Sequence, residues 1–184
     1  MAATPSTMLP LGTELPEFAL PNVVDGTVVS SDKYRKSIAL VVMFICNHCP
    51  YVKHVVAELG RITRDYMPKG IAFVAINAND ADAYPDDGPE PMKALAVEQG
   101  WRFPYLFDET QDVARAFKAA CTPDLYVFDE AQRLVYRGQL DDSRPNSGIP
   151  VTGKDLRAAL DAIIAGKDIP GPQKPSLGCN IKWK

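Results

Sequence analysis

The sequence predicts an α/β fold: a central mixed β-sheet flanked by helices, with an N-terminal β-hairpin and a proline-rich C-terminal tail. Three observations predict it. Residues 38–45 form an unbroken apolar run, as expected of a strand buried on both faces. A second apolar run, residues 71–76, follows a helical pattern, so strand, helix and strand make a right-handed βαβ unit. Residues 124–128 and 133–136 are two short apolar segments joined by a polar turn, which predicts an antiparallel pair and therefore a mixed sheet.

The elements follow in order. Residues 1–16 carry Pro5, Pro10 and Pro16 and are expected to form a loose arm. Residues 18–20 and 27–29 flank a turn at residues 22–26, giving the hairpin. Residues 50–66 read as a helix because Val52, Val55, Val56, Leu59, Ile62 and Tyr66 recur every three or four positions. Pro68 and Gly70 end it. Residues 77–91 are polar and acidic and read as a loop. Asp80, Asp82, Asp86, Asp87 and Glu90 lack the EF-hand order, so a solvated loop is expected.

Residues 91–99 predict a short helix closed by Gly100. Trp101, Phe103, Tyr105 and Phe107 alternate as a half-buried strand does. Asp108 with Gln111 reads as a capping box ahead of a helix over 109–120. Thr152 with Asp155 opens a last helix striped by Leu156, Leu160, Ile163 and Ile164, and Gly166 ends it. The tail, residues 168–184, holds Pro170, Pro172 and Pro175 and is not helical. No repeat and no second domain is apparent, so one domain over 1–184 is expected.

Composition narrows the function. The chain has 184 residues, 46% of them hydrophobic, and a net charge of −3, which gives no basic footprint for nucleic acid. No stretch approaches a membrane span. Residues 1–11 lack a charged start and an apolar core, so no secretory signal and a cytoplasmic, reducing setting are expected. In that setting four cysteines point to catalysis or metal binding rather than structural disulfides.

The chemistry concentrates at Cys46-Asn47-His48-Cys49, where the first buried strand turns into the first helix. A helix start offers free N–H groups and positive partial charge, which favour a thiolate. Two sulfurs three residues apart can close and reopen a disulfide. Cys46 is expected to be the more exposed, attacking thiolate, and Cys49, one turn in, the resolving thiol. His48 is expected beside Cys46, tuning its potential. Electrons then travel on sulfur, so no cofactor is expected. A haem site requires His after the second cysteine, where Pro50 stands. A zinc site requires about four ligands, and Cys121 and Cys179 form no second pair, so no metal is assigned.

The order of elements resembles the thioredoxin fold, and the hairpin and inserted strand and helix resemble its peroxiredoxin-like branch. The run Phe44-Ile45-Cys46-Asn47-His48-Cys49-Pro50-Tyr51-Val52 is similar to bacterial proteins of the alkyl hydroperoxide reductase and thiol-specific antioxidant superfamily. So is the ending Gly178-Cys179-Asn180-Ile181-Lys182-Trp183-Lys184. The resemblance implies that Thr122-Pro123 is a cis step facing the cysteine pair and shaping a substrate groove. It implies a thiol–disulfide oxidoreductase acting on protein or small-molecule disulfides and thiols. A thiol peroxidase acting on peroxides, and a metal-binding or metallochaperone module using the same cysteines, are the alternatives.

Two departures bear on those alternatives. Peroxiredoxins carry Pro and Thr where this chain has Ala39 and Met43, so the hydroxyl that orients peroxide is missing. Thioredoxins carry a buried Asp as proton acceptor where this chain has Leu40, which leaves His48 and His54 as candidates. Peroxiredoxins also use an Arg, for which Arg133 and Arg137 are available. Cys121, two residues before Pro123, and Cys179, on the tail, are auxiliary thiols or, for Cys121, core filling. A Cys121–Cys179 tie is one of the connectivities open to four cysteines. Oligomeric state is not legible.

Overall fold

The computed structural model describes residues 3–184. Its central sheet has five strands in the order β6-β5-β4-β8-β9. These are β4 (Ala39–Phe44), β5 (Ile71–Asn77), β6 (Tyr105–Phe107), β8 (Asp124–Asp129) and β9 (Leu134–Gly138). β4 runs parallel to β5 and antiparallel to β8, so the sheet is mixed. β2 (Ala19–Pro21) and β3 (Val28–Ser30) form the expected hairpin. The remaining strands are β1 (Ala3–Pro5), β7 (Cys121–Thr122) and β10 (Leu177–Asn180).

Every residue of β4 is buried, and successive side chains enter two different cores. Ala39, Val41 and Met43 pack towards α1 (Pro50–Tyr66), α2 (Pro89–Glu98) and α4 (Lys154–Ile164). Leu40, Val42 and Phe44 pack towards α3 (Asp112–Ala116) and the N-terminal segment that supplies Leu9, Leu15 and Phe18. This two-sided burial is why the strand is apolar throughout rather than alternating. Ile38, at its edge, is exposed.

α1 has the predicted bounds. Val52, Val55, Leu59, Ile62 and Tyr66 face the core, and the chain turns at Gly70 with φ of 90°. Its buried Glu58 takes Arg157 of α4 at 2.7 Å and Arg61 at 2.6 Å, tying the two helices together. No helix among the described residues is long and apolar enough to cross a membrane.

Several expectations are corrected. The 109–120 helix is only α3, because Gln111 adopts φ of 68° and spends its side chain on Ala78 O and Lys182 O. Asp108 caps instead, accepting the Ala114 N–H at 2.8 Å. At α4 the cap residue is Gly153, φ of 67°, and Asp141 accepts the Thr152 and Gly153 N–H groups at 2.7 Å. Trp101 and Phe103 lie outside β6, stacked on one another, and all of β6 is buried.

The arm is the largest correction. It is not loose, because the non-helical tail pairs with it. β10 pairs with both β1 and β7 in a three-stranded antiparallel sheet, and the arm is pinned further by Ser6 N–H to Ser176 O at 2.9 Å. Residues 1 and 2 of the arm lie outside the described residues. Neither strand carries a hydrophobic alternation, so pairing alone reveals them.

Phe44 is 1% exposed and meets Phe117 and Tyr126 edge-on at 5.3 and 6.0 Å. Phe44→Ala is expected to cost about 3–5 kcal/mol in urea unfolding; a loss under about 1 kcal/mol contradicts the two-core account.

Candidate active site

The site forms where β4 ends, α1 begins and the β7–β8 step passes beneath. Cys46 and Cys49 are both fully buried, so Cys46 is not the exposed partner expected of it. Nor does Cys49 lie one turn into the helix. It is the N-cap of α1, followed by Pro50 at the first helical position, and Cys46 precedes the helix. The proline fits because that position needs no N–H donor.

Thr122 holds both sulfurs. Its Oγ1 lies 3.3 Å from Cys46 Sγ, and its carbonyl accepts from the Cys49 thiol at 3.2 Å. The Thr122–Pro123 bond is cis, as the resemblance implied. Tyr51, on the first turn of α1, and Pro123 line the same small cavity.

The residue that the sequence reading missed is Asp87. It was assigned to a solvated acidic loop, yet it is 0% exposed. Its Oδ1 accepts the Asn47 and His48 N–H groups at 2.7 and 3.2 Å. Its Oδ2 contacts His48 Nδ1 at 2.5 Å and accepts Asn79 Nδ2 at 2.8 Å. The Asn77 side chain holds the Asp87 carbonyl at 3.0 Å. Asp82, Asp86 and Glu90 are exposed as expected. Buried carboxylates need such donors, because an unpaired one is costly to desolvate. The available signal was Asn77 and Asn79, polar residues directly after an apolar strand.

This network fixes the segment between the cysteines. His48 faces Asp87 rather than donating to Cys46, and its ring stacks on Tyr84 at 5.1 Å. His48 Nε2 is buried without a partner. Tyr84 in turn lies under Lys182 Nζ, 5.8 Å from its ring centre. His54 is bonded to Ser143 Oγ at 3.1 Å, away from both sulfurs.

The two thiols do not ionise alike. Contact with the Cys46 thiol pulls Cys49 well below the ordinary thiol range against the cost of burial, helped by Cys179, Thr122 and the Val52 N–H. The same contact pushes Cys46 up, and burial and the Asp87 carboxylate add to it. The Thr122 carbonyl favours a protonated Cys49, but one acceptor faces several donors. These contacts favour ionisation at the sulfur at the helix start.

The other candidates separate cleanly. Cys179 lies opposite Thr122 in the β10–β7 register and is 2% exposed, in the same core as Cys46 and Cys49. Cys121 lies opposite Asn180, so it points to the other face of that sheet from Cys179. A Cys121–Cys179 tie is therefore disfavoured by geometry. Arg137 is spent on Leu9 O at 2.7 Å and Gln173, and Arg133 on Gly12 O, so neither serves the thiols. All four cysteines are free. For metal, Cys46 Sγ, one His48 nitrogen and one Asp87 oxygen lie within 4.8 Å of one another. An ion there would displace the His48–Asp87 bond, and Cys49 is outside the set.

Titration of the reduced protein at 240 nm is expected to show one thiolate already formed below the ordinary cysteine pKa of about 8.5. Cys49→Ser removes that early ionisation; if wild type and variant titrate alike, the charge is not on Cys49.

A family model described as redoxin matches residues 10–156. A solved structure of an uncharacterized conserved protein from Geobacillus kaustophilus is 62% identical, with TM-score 0.98, covering 100% of this chain and 97% of that one. A thiol:disulfide interchange protein of the thioredoxin family from Chlorobium tepidum is 18% identical, with TM-score 0.64, covering 85% and 99%. Peroxidoxin BcpB from Mycobacterium tuberculosis is 14% identical, with TM-score 0.63, covering 86% and 97%. The last two share the thioredoxin-like fold with this chain. The search of curated proteins returns no match.

Proposed function

Because the chain belongs to the redoxin family and seats two thiols on one threonine, we propose that it is a thiol–disulfide oxidoreductase working through Cys46 and Cys49. The observation that carries this reading is the pair of contacts from Thr122, 3.3 Å to Cys46 and 3.2 Å to Cys49, which hold both sulfurs against one backbone step.

Cys46 is the sulfur that meets substrate. Cys49 is enclosed by the Thr122 carbonyl, the Val52 N–H and Cys179, whereas Cys46 Sγ lies within 4.8 Å of a nitrogen of His48, whose ring stacks on Tyr84. That stack borders a 330 Å³ cavity lined by His48, Ala83, Tyr84, Pro85 and Asp86. Cys49, the thiolate of the pair, takes the proton from Cys46. Cys46 then attacks one substrate sulfur and the other departs as a thiolate. Cys49 next attacks Cys46 Sγ, its proton passing to the second leaving sulfur. One substrate disulfide becomes one thiol and one thiolate, and the protein holds the disulfide. Run backwards, the same steps oxidise a dithiol.

Asp87 positions this chemistry. It holds the Asn47–His48 segment through backbone N–H groups, and its charge keeps Cys46 protonated until attack.

Peroxide reduction is the second reading, and Thr122 favours it by placing a hydroxyl beside Cys46 where Met43 offers none. In that reading Cys46 becomes a sulfenic acid and Cys49 condenses with it, releasing water. The absence of Arg133 and Arg137 from the site weighs against it.

Insulin reduction with dithiothreitol is expected to exceed peroxide consumption, and Cys46→Ser is expected to bring it to the uncatalysed rate. Robust peroxide turnover without insulin reduction favours the second reading. Asp87→Asn removes the charge that disfavours a Cys46 thiolate. Its Cys46 is expected to alkylate faster with iodoacetamide at neutral pH than wild-type Cys46; an unchanged or slower rate sinks the role given to Asp87.

A further inference from the structure

The C-terminal strand β10 is built to lie unusually close to the site. An added Cβ at Gly178 would stand 2.0 Å from the Thr122 carbonyl oxygen and 2.6 Å from its carbon, closer than any side chain allows. Glycine at 178 is therefore a packing requirement, set by close approach of two backbones. The residue it delivers is Cys179, directly opposite Thr122, the same residue that contacts Cys46 and Cys49.

The segment after it is pinned as firmly. Asn79 accepts the Lys182 N–H at 2.9 Å, and Gln111 donates to the Lys182 carbonyl at 2.8 Å while accepting the Lys184 N–H at 3.0 Å. Asn79 also donates to Asp87, so the tail and the loop that holds His48 share one network. Cys179 Sγ is within interaction range of Cys49 and of the Tyr51 N–H at the start of α1. A merely structural small residue would not need a thiol beside another thiol at a helix start.

We infer that Cys179 is the third redox thiol of this site, exchanging with Cys49 so that the oxidised protein passes between a Cys46–Cys49 and a Cys49–Cys179 disulfide. This rests on the proposed Cys46/Cys49 chemistry. The step balances within the molecule. The Cys179 sulfur attacks Cys49 Sγ, the Cys46–Cys49 bond breaks, and Cys46 leaves with the electron pair. The Cys179 proton goes to Cys46. One disulfide is exchanged for another, with no external oxidant or reductant. The result frees Cys46 and moves the oxidising equivalent onto β10. Cys121, on the opposite face of β7, takes no part.

The test uses the full chain. Cys46→Ser, oxidised with diamide and mapped by non-reducing peptide mass spectrometry, is expected to carry a Cys49–Cys179 disulfide, and adding Cys121→Ser is expected to leave it unchanged. Recovery of Cys49 as a free thiol, as an intermolecular link, or joined to Cys121 overturns the inference. Gly178→Ala keeps the thiol but pushes β10 from Thr122. In the Cys46→Ser background it is expected to lower the Cys49–Cys179 yield at least tenfold, and an undiminished yield overturns the part played by β10. Wild-type mapping separates the two levels. A Cys46–Cys49 link in wild type with no Cys49–Cys179 link in the Cys46→Ser variant defeats this inference alone. No Cys46–Cys49 link, together with no insulin reduction, defeats the proposed function.

Discussion

β4 has no polar side chain and is covered on both faces, so its register against β5 and β8 is held by two cores at once. A slip of one residue would exchange Val41 and Met43 with Leu40 and Val42, and each set is shaped for different neighbours. Because Cys46 follows that strand after one residue, its position is set by the same packing. The site inherits rigidity from the core and needs no bound group to define where its first sulfur lies.

Around that anchor, polar groups are arranged to balance a charge in a buried place. Asp87 supplies a negative charge and spends its oxygens on Asn47, His48 and Asn79. Ionisation of the cysteine pair is favoured at Cys49, where the start of α1 offers a backbone donor. Placing the carboxylate near one sulfur and the helix start near the other divides the pair into unlike members. Two chemically identical residues can thereby take different roles.

Much of this was legible from local pattern. The spacing of Val52, Val55, Leu59 and Ile62 identified α1 with its true bounds, and the turn between β8 and β9 identified the antiparallel pair. The cysteine spacing and Thr122-Pro123 marked residues that the fold brings together. The failures share a cause. Asp87 sits in a loop where Asp82, Asp86 and Glu90 are exposed, and nothing in its neighbours says that it turns inward. Gln111 read as a cap, but its amide bridges Ala78 and Lys182, which are far from it in sequence. The tail looked irregular because β10 is a strand by pairing and not by composition.

By itself the sequence determined what short-range periodicity can encode: the buried strands, α1 and its stripe, and two sulfurs at a strand-to-helix junction. Only the tertiary structure decided which distant groups reach those sulfurs. It buried both thiols, brought Asp87 to His48, and set Gly178 against Thr122 so that Cys179 joins the cluster. The physical reason is that these contacts depend on strand register and loop closure across the chain. No single segment carries that information, because each polar residue involved would be equally at home in water.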